Sequence, residues 1–351
     1  MNKEKIISQN NKLIEKMIPN RDSLKTIDET FDPSKEITVS VICNVYNHEK
    51  YIGKCIDAFL MQKVDFNVEI LIHDDCSKDG SQKIINEYAK KYPNVIKAIC
   101  QKENQQSQGK RVFFVFQLDR AKGKYIAICE GDDYWTSPYK LYVQVHALEA
   151  NPDKGGSTHN TIEFNAAKNK VHLIQTSYNK KEYSLVDASL NKCHTTSLMY
   201  KREMIMNAPE WFFAQSRAGD YPMKLLTTMS GGIIYFPYVM SVYNIFSSSS
   251  SWFVMASQNM DRIIEIAEGF KRTFDQMDEY YAKQGIKFDQ EIYDIQEMQY
   301  YVYKYDFASI AANKKLYKLM KKYYGFGFAF KRKMLHKHPN FYKKIKKLLG
   351  K

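Results

Sequence analysis

The sequence predicts an α/β protein, a mostly parallel sheet flanked by helices and followed by a helical C-terminal region. Three observations carry that expectation. From residue 37 to residue 150, short β-rich or apolar runs alternate with helix-period segments, the order expected when helices connect parallel strands. Polar clusters at 44–49, 74–80 and 130–133 stand where three of those runs end, and open α/β sheets bind ligands beyond the carboxyl ends of their strands. After Trp252 the apolar period becomes helical.

The elements follow in order. Residues 1–35 read as a helical or loose lead-in ending near Asp32-Pro33-Ser34. Residues 37–43 are β-rich and form a first strand. In 51–62, Ile52, Ile56 and Phe59 recur at helical spacing. Residues 68–72 are a second strand, running into His73-Asp74-Asp75-Cys76-Ser77-Lys78-Asp79-Gly80. Segment 81–92 is helical, with Ile84, Ile85 and Tyr88 on one side and Pro93 as its stop. Residues 95–100 give a third strand, 110–122 a helix and 125–129 a fourth strand. Ser137 is offered as an N-cap with Pro138 at the first helical position, and Leu141, Val145 and Leu148 form that helix's buried stripe. Farther on, 195–200 and 233–238 read as strands; between them stand Arg217-Ala218-Gly219-Asp220-Tyr221 and a helical run through Leu226. Ile263, Ile266, Phe270, Phe274, Met277 and Tyr281 form one helical stripe that Gly285 closes. Ile292, Ile295, Gln299, Val302 and Tyr303 mark another, and both stripes read as core.

Composition bounds the function. A chain of 351 residues, 44% apolar and 26% charged, has the profile of a soluble globular protein. No run of about 18 apolar residues is present, and residues 1–21 lack a signal peptide's apolar core. The six cysteines (Cys43, Cys55, Cys76, Cys100, Cys129 and Cys193) include no Cys-x-x-Cys, which argues against zinc. A cytoplasmic protein is the expectation. The net charge of +13 is local: of 52 Lys and Arg, 14 lie in 314–351 with no Asp or Glu, leaving 38 against 39 acidic residues elsewhere. A neutral body argues against nucleic-acid binding. In the tail, Ile345, Leu348 and Leu349 lie among Lys343, Lys344, Lys346 and Lys347. Two readings are open there, an amphipathic segment on an anionic membrane surface and a solvated or oligomer-forming tail.

The most informative stretch is 125–135, where an apolar run ends in Glu130, Asp132 and Asp133. Three like charges at a strand end repel unless something positive joins them. Hard oxygen ligands suit Mg²⁺ or Mn²⁺, which bind through one or two carboxylates together with substrate phosphates. The alternative is an acidic loop that is merely solvated. A dinucleotide fold is disfavoured, because Asn44-Val45-Tyr46-Asn47-His48-Glu49 after the first strand contains no Gly-x-Gly-x-x-Gly, and no Walker A sequence occurs.

In matching order, residues 39–47, 69–80, Glu130-Gly131-Asp132 and Gly219-Asp220 resemble the opening strand and turn, second-strand acidic motif, Asp-x-Asp motif and catalytic Glu-Asp pair of the family 2 glycosyltransferases, which have the GT-A fold. The resemblance covers about residues 36–252. There are two departures: Glu130 stands for the more usual first Asp, and Gly219 removes a carboxylate that often helps bind the acceptor. The resemblance implies a GT-A domain at 36–251, with a nucleotide-binding half (36–135) and an acceptor half (136–251). A lead-in (1–35) precedes it, and a helical region (252–351) with the basic tail 314–351 follows. It implies inverting transfer of a sugar from a nucleotide-diphosphate donor, usually UDP-linked, to a hydroxyl of a glycan or lipid-linked acceptor in polysaccharide biosynthesis.

The roles implied are metal binding by Asp132, supported by Glu130 and Asp133, and general base for Asp220. Asn44, Tyr46 and Asp75 match family positions that contact the nucleoside. For Glu49, helix capping and nucleotide contact are both open; Asp74 and Asp75 have the capping alternative too. Trp135 stacks on sugar or simply packs, His194 lines the acceptor pocket or is structural, and the serine run at 247–251 with Trp252 is a closing loop or a linker. Two competing classes are a sugar-nucleotide pyrophosphorylase, whose Gly-rich basic loop is missing, and a silent GT-A glycan-binding scaffold, which Gly219 leaves open.

Overall fold

The apolar runs become strands that are buried on both faces; in residues 67–74 every position is buried. In the computed structural model, which describes residues 2–174, 181–209, 211–212, 219–245 and 260–337, the strands in chain order are β1 (Lys25–Thr26), β2 (Ile37–Val45), β3 (Lys63–Val64), β4 (Asn67–Asp74), β5 (Ile96–Cys100), β6 (Tyr125–Ile128), β7 (Tyr134–Trp135), β8 (Gly156–Asn165), β9 (Lys170–Leu173), β10 (Glu182–Tyr183), β11 (Met199–Lys201) and β12 (Ile233–Ile245). The chain divides into two units: Met1–Ala208 with Met223–Gln258, and Pro209–Pro222 with Asn259–Lys351.

The first unit is built on one sheet in the order β5-β4-β2-β6-β11-β8-β12-β10, with β7 on β12 and β9 on β8. β2 pairs parallel with β4 and β6, β4 with β5, and β8 with β12. Only β11 reverses between β6 and β8, antiparallel to both. Two reversals restore the direction, so β2, β4, β6, β8 and β12 all point their carboxyl ends at one edge. That edge receives residues 44–46, 74–75, 129–133, 163–165 and 243–245.

Helices Ile52–Leu60, Ser81–Lys91 and Lys140–Ala150 accompany the sheet. Ile52, Ile56 and Phe59 are buried at the expected spacing, and Phe59 meets Trp135 edge-on at 4.7 Å. Burying one such side chain contributes about 1.5–3 kcal/mol. The lead-in is part of this unit. Asn2 caps helix Lys3–Glu15, Asn10 Oδ1 accepts from Val239 N at 2.9 Å, and Asn11 donates to Thr136 O at 2.9 Å.

Three local expectations change. The helix expected at 110–122 is a short π-helical segment, Phe113–Leu118. Polar side chains fasten this stretch: buried Gln117 donates to the carbonyls of Cys43 and Leu71, each at 3.1 Å, and Arg120 to those of Ile72 (2.9 Å) and Lys97 (3.0 Å). The strand expected at 195–200 is a 3₁₀ turn, Thr195–Ser197, before β11. Thr196 is held away from the ladder because its carbonyl accepts from Trp135 Nε1 at 2.9 Å and its hydroxyl meets Cys129 Sγ at 3.0 Å. Ser137 is not the N-cap, since the helix begins at Lys140. Pro138 O is engaged by Lys63 N at 2.7 Å, and Gln62 Oε1 accepts from Leu141 N at 3.1 Å, taking one of the first-turn donors.

In the second unit, helices Met260–Ala282, Gln290–Tyr303, Phe307–Ala312, Lys314–Tyr324 and Phe326–Lys337 follow one another. The stripe from Ile263 to Tyr281 is buried as its period requires. Gly285, at φ +78°, lets Ile286 N return to Tyr281 O at 3.0 Å. Among the described residues, no helix is long and apolar enough to cross a membrane.

Buried Lys140 generates a testable pH dependence. Its ammonium donates to Gln144 Oε1 at 2.7 Å and lies 4.1 Å from the Trp135 ring centre, while burial pushes its pKa down to about 7. Between that value and the ordinary lysine pKa the unfolded chain binds the extra proton, so stability rises with pH across the window. Lys140→Met is expected to remove a few kcal/mol of that rise. Urea unfolding of both proteins at pH 7 and pH 10 checks the difference in slope, and parallel curves would refute it.

Candidate active site

The three carboxylates at the end of β6 are pulled toward three different partners. Glu130 Oε1 accepts from Asn44 Nδ2 at 3.4 Å. Asp132 Oδ2 faces His48 Nε2 at 3.9 Å. Asp133 turns inward, where its Oδ1 accepts from Asn244 N at 2.8 Å. The Asn244 side chain also donates to Asp132 O at 2.5 Å, so one residue at the end of β12 grips two positions of the loop. The loop backbone is tied to β2 through Gly131 N and Asn44 O at 3.0 Å. A Cβ on Gly131 would meet Val45 Cγ2 at 2.8 Å and His48 Nδ1 at 3.0 Å, so a glycine is what lets the loop pass this close to β2.

Asp133 is 1% exposed, and its Oδ2 has no hydrogen-bond partner among the described residues. Burial raises its carboxyl well above the ordinary range; Asp132, Cys129 and Glu130 push the same way, and the Asn244 N–H only partly opposes them. Of the supporting roles expected for Asp133, this geometry favours orienting the loop over contacting a cation.

The turns after β2 and β4 are stitched together. Asn47 N donates to Ser77 Oγ at 2.8 Å, His48 N to Ser81 Oγ at 2.9 Å, and Glu49 N to Asp79 Oδ2 at 3.0 Å. Asp74 accepts from Ser77 N at 2.9 Å and Gln82 Nε2 at 2.6 Å. Asp75 uses one oxygen on Gln105 N (2.7 Å) and the other on Gln106 N (3.0 Å), holding the turn after β5. Helix Ser81–Lys91 is served instead by Asp79, whose Oδ1 takes Ser81 N at 3.0 Å. The Glu49 side chain lies directly over Gly80, the N-cap of that helix. Tyr46 stands half-buried just beyond β2.

The β8–β12 side of the same edge holds a cluster that no sequence motif marks. Glu163, near the end of β8, pairs through Oε1 with His194 Nε2 at 2.9 Å and through Oε2 with His172 Nδ1 at 3.0 Å. Burial would raise the Glu163 carboxyl, but His194 and His172 outweigh it and hold it below its ordinary value. The His194 ring stacks on Tyr243 at 3.8 Å. Both lie beside anchors of the acidic loop, since Tyr243 adjoins Asn244 and His194 is two residues from Thr196. For His194 a pocket and a structural role are both open; His48 belongs to the polar cluster 44–49, but Glu163, Tyr243 and Asn244 carry no sequence signal, because pairings across 31 to 112 residues leave no local pattern. Trp135 is buried, donating to Thr196 O, which is the packing alternative.

Among the described residues, no three His, Cys, Asp or Glu side chains converge as a complete metal cage. A pair of partly accessible carboxylates completed by substrate phosphates is how Mg²⁺ is usually held, and Asp132 with Glu130 fits that donor set. Asp220 opens the helix Asp220–Met229, after Gly219. Residues 217–218 and the serine run with Trp252 lie outside the described residues, as does 338–351.

The profile of glycosyl transferase family 2 matches residues 40–207, the span that contains the acidic loop, the stitched turns and the Glu163 cluster. Over residues 40–207 the chain carries a glycosyl transferase family 2 domain. Its fold is GT-A. An uncharacterized protein of Mycobacterium tuberculosis is 34% identical to this chain over 209 residues, 58% of each chain, so the match spans less than two thirds of that relative's length. The poly(ribitol-phosphate) beta-glucosyltransferase of Bacillus spizizenii is 37% identical over 99 residues, 27% of this chain and 15% of that one. A mannosyltransferase from Pyrobaculum calidifontis, solved with GDP-Man and Mn²⁺, superposes with a TM-score of 0.50 at 17% identity, over 90% of this chain and 85% of that one.

These geometries rank two neighbouring aspartates. Asp133→Asn is expected to fold at least as stably as the parent at neutral pH, because it removes a buried carboxylate disfavoured in its charged form. A raised folded-state pKa means that stability is lost as pH climbs from the ordinary carboxylate value toward the raised one, and the variant should lack that loss. Asp133→Asn should keep nucleotide binding while Asp132→Asn weakens it about tenfold or more. Calorimetric titration with nucleoside diphosphate and Mn²⁺ checks the ranking, and the reverse order would make Asp133 the ligand.

Proposed function

We propose that this glycosyltransferase moves a hexosyl or N-acetylhexosaminyl group from a nucleotide-diphosphate donor, a UDP-sugar first among them, to a hydroxyl of a glycan or lipid-linked acceptor. Transfer inverts the anomeric carbon and serves polysaccharide biosynthesis. The observation that carries the reading is the shared edge: acidic loop, nucleoside-side turns and Glu163 cluster all stand at the carboxyl ends of parallel strands. The Bacillus spizizenii relative, named for a polyol-phosphate polymer and a glucosyl group, supports a polymer acceptor. Cytoplasmic localisation belongs to this reading.

Asn44, Tyr46 and Asp75 bind the nucleoside. Asp75 already accepts two backbone N–H groups, and a carboxylate has lone pairs left for a base N–H. Glu49, above the start of helix Ser81–Lys91, borders that site. Asp132 and Glu130 would hold Mn²⁺ or Mg²⁺ with the diphosphate, and the cation would supply Lewis-acid stabilisation of the leaving group. Asp220 takes the proton of the attacking hydroxyl, a role resting on its motif position after Gly219. Glu163, kept ionised by its histidines, is a weak base and suits accepting a hydrogen bond from an acceptor hydroxyl.

The test is release of nucleoside diphosphate from a panel of UDP- and GDP-sugars, with and without Mn²⁺ or Mg²⁺, in the presence of glycan and polyol-phosphate acceptors. Asp132→Ala is expected to abolish metal-dependent donor binding. Asp220→Asn should keep binding while lowering kcat about 100-fold or more, and Glu163→Gln should raise the acceptor KM more than it lowers kcat. Metal-dependent binding without turnover for any pair would favour the silent scaffold that Gly219 permits. No binding of any nucleotide would overturn the reading.

A further inference from the structure

The 14 cations of 314–351 come without a single carboxylate, and the helices Lys314–Tyr324 and Phe326–Lys337 give the first part of that stretch a shape. The first helix is conventionally amphipathic, burying Leu316, Leu319 and Met320 while Lys314 and Lys318 are exposed; Lys315 and Lys322, also exposed, pair with Asp294 at 2.7 Å and Glu291 at 2.5 Å. In the second helix, Ala329 is buried, while Phe326 and Phe330 are 66% and 48% exposed. These two rings lie one helical turn apart and stack at 5.7 Å with 17° between their planes. Lys331, also exposed, follows directly. Nearby cations spread over aromatic bodies: Arg332 lies 4.6 Å from the Phe307 ring centre, and Lys333 lies 4.7 Å from that of Tyr317.

Single exposed apolar residues are ordinary, but two large rings placed side by side in a cationic segment are not what a solvated helix needs. We infer that the Phe326–Phe330 face, beside exposed Lys331 in a segment without carboxylates, docks the protein on an anionic lipid surface. Charge complementarity selects that occupant. Phenyl rings partition into the headgroup–acyl boundary while lysines meet anionic headgroups. A nucleic acid would ask for a basic track beyond this segment, and the rest of the chain is close to neutral, with 38 basic and 39 acidic residues. The inference is independent of donor and acceptor chemistry, so failure of the transfer reading leaves it standing.

The experiment is co-sedimentation of the full chain with vesicles of phosphatidylcholine alone and of equal phosphatidylcholine and phosphatidylglycerol. Binding to the anionic vesicles only, weakened by salt, is the expected result. The double variant F326A/F330A should bind about tenfold more weakly or worse with an unchanged melting temperature, because both rings are exposed. Should that variant melt earlier, F330W reads the same face: its added emission should shift to the blue on anionic vesicles and not on neutral ones. Several results overturn the inference. These are equal binding to both vesicle types, parent-like binding by a folded F326A/F330A protein, and no shift for F330W. Loss of binding only on truncation after Lys337 would assign docking to the tail. A parent dimer that F326A/F330A dissociates, with vesicle binding unaltered, would make the face a contact between copies.

Discussion

Like-charge repulsion at the end of β6 is the constraint around which the first unit is arranged. Glu130, Asp132 and Asp133 stand within four positions, and three carboxylates left together in a low-dielectric cleft would destabilise one another. Each is therefore given its own environment. Asn44 faces the first, His48 the second and the backbone of Asn244 the third. The partners come from the ends of β2 and β12 and from the turn between β2 and its helix. Only a sheet that brings those ends to one edge can separate the charges in this way.

The reversal of β11 between β6 and β8 leaves β2, β4, β6, β8 and β12 with their carboxyl ends at one edge. In the chain β6 still reaches β8 through helix Lys140–Ala150, and β11 returns later to fill the place between them, antiparallel to both. Residues 194–198, which lead into β11, are in turn clamped to both sides of the acidic loop through Thr196, whose hydroxyl meets Cys129 and whose carbonyl takes the Trp135 N–H. The loop is thus fixed from both halves of the sheet. Groups fixed in this way need no reorganisation when a ligand arrives.

Buried polar side chains do much of the fastening that apolar stripes do elsewhere. Gln62, Gln117, Gln144 and Lys140 are fully buried, and each bonds to a backbone group or to another buried amide. Satisfied networks of this kind specify one arrangement, because any slip leaves a donor unpaired in a dry interior. They are also invisible to a reading that looks for hydrophobic period. For this reason the expected helix at 110–122 became a π-helical segment held by Gln117 and Arg120, and the helix start moved from Ser137 to Lys140.

The fold class, the parallel order of the first strands and the acidic loop were legible in the sequence, because burial of a strand on both faces demands an apolar run and its end must be polar to meet water or ligand. The helical stripes of the second unit were legible for the same reason, since Ile263 to Tyr281 repeat with the period of the helix that buries them. The partners of the loop were not. Asn244 with Asp132, His48 with Asp132 and His194 with Glu163 are residues far apart in the chain, brought together by strand order and register. The Asp75 carboxylate likewise meets the turn after β5 only because β4 and β5 pair in parallel. Chemistry that depends on residue type and local spacing was thus determined by the sequence alone; which carboxylate faces the solvent-side cleft and which turns inward was decided by the tertiary structure, because a side chain's electrostatic environment is set by neighbours that only the folded sheet supplies.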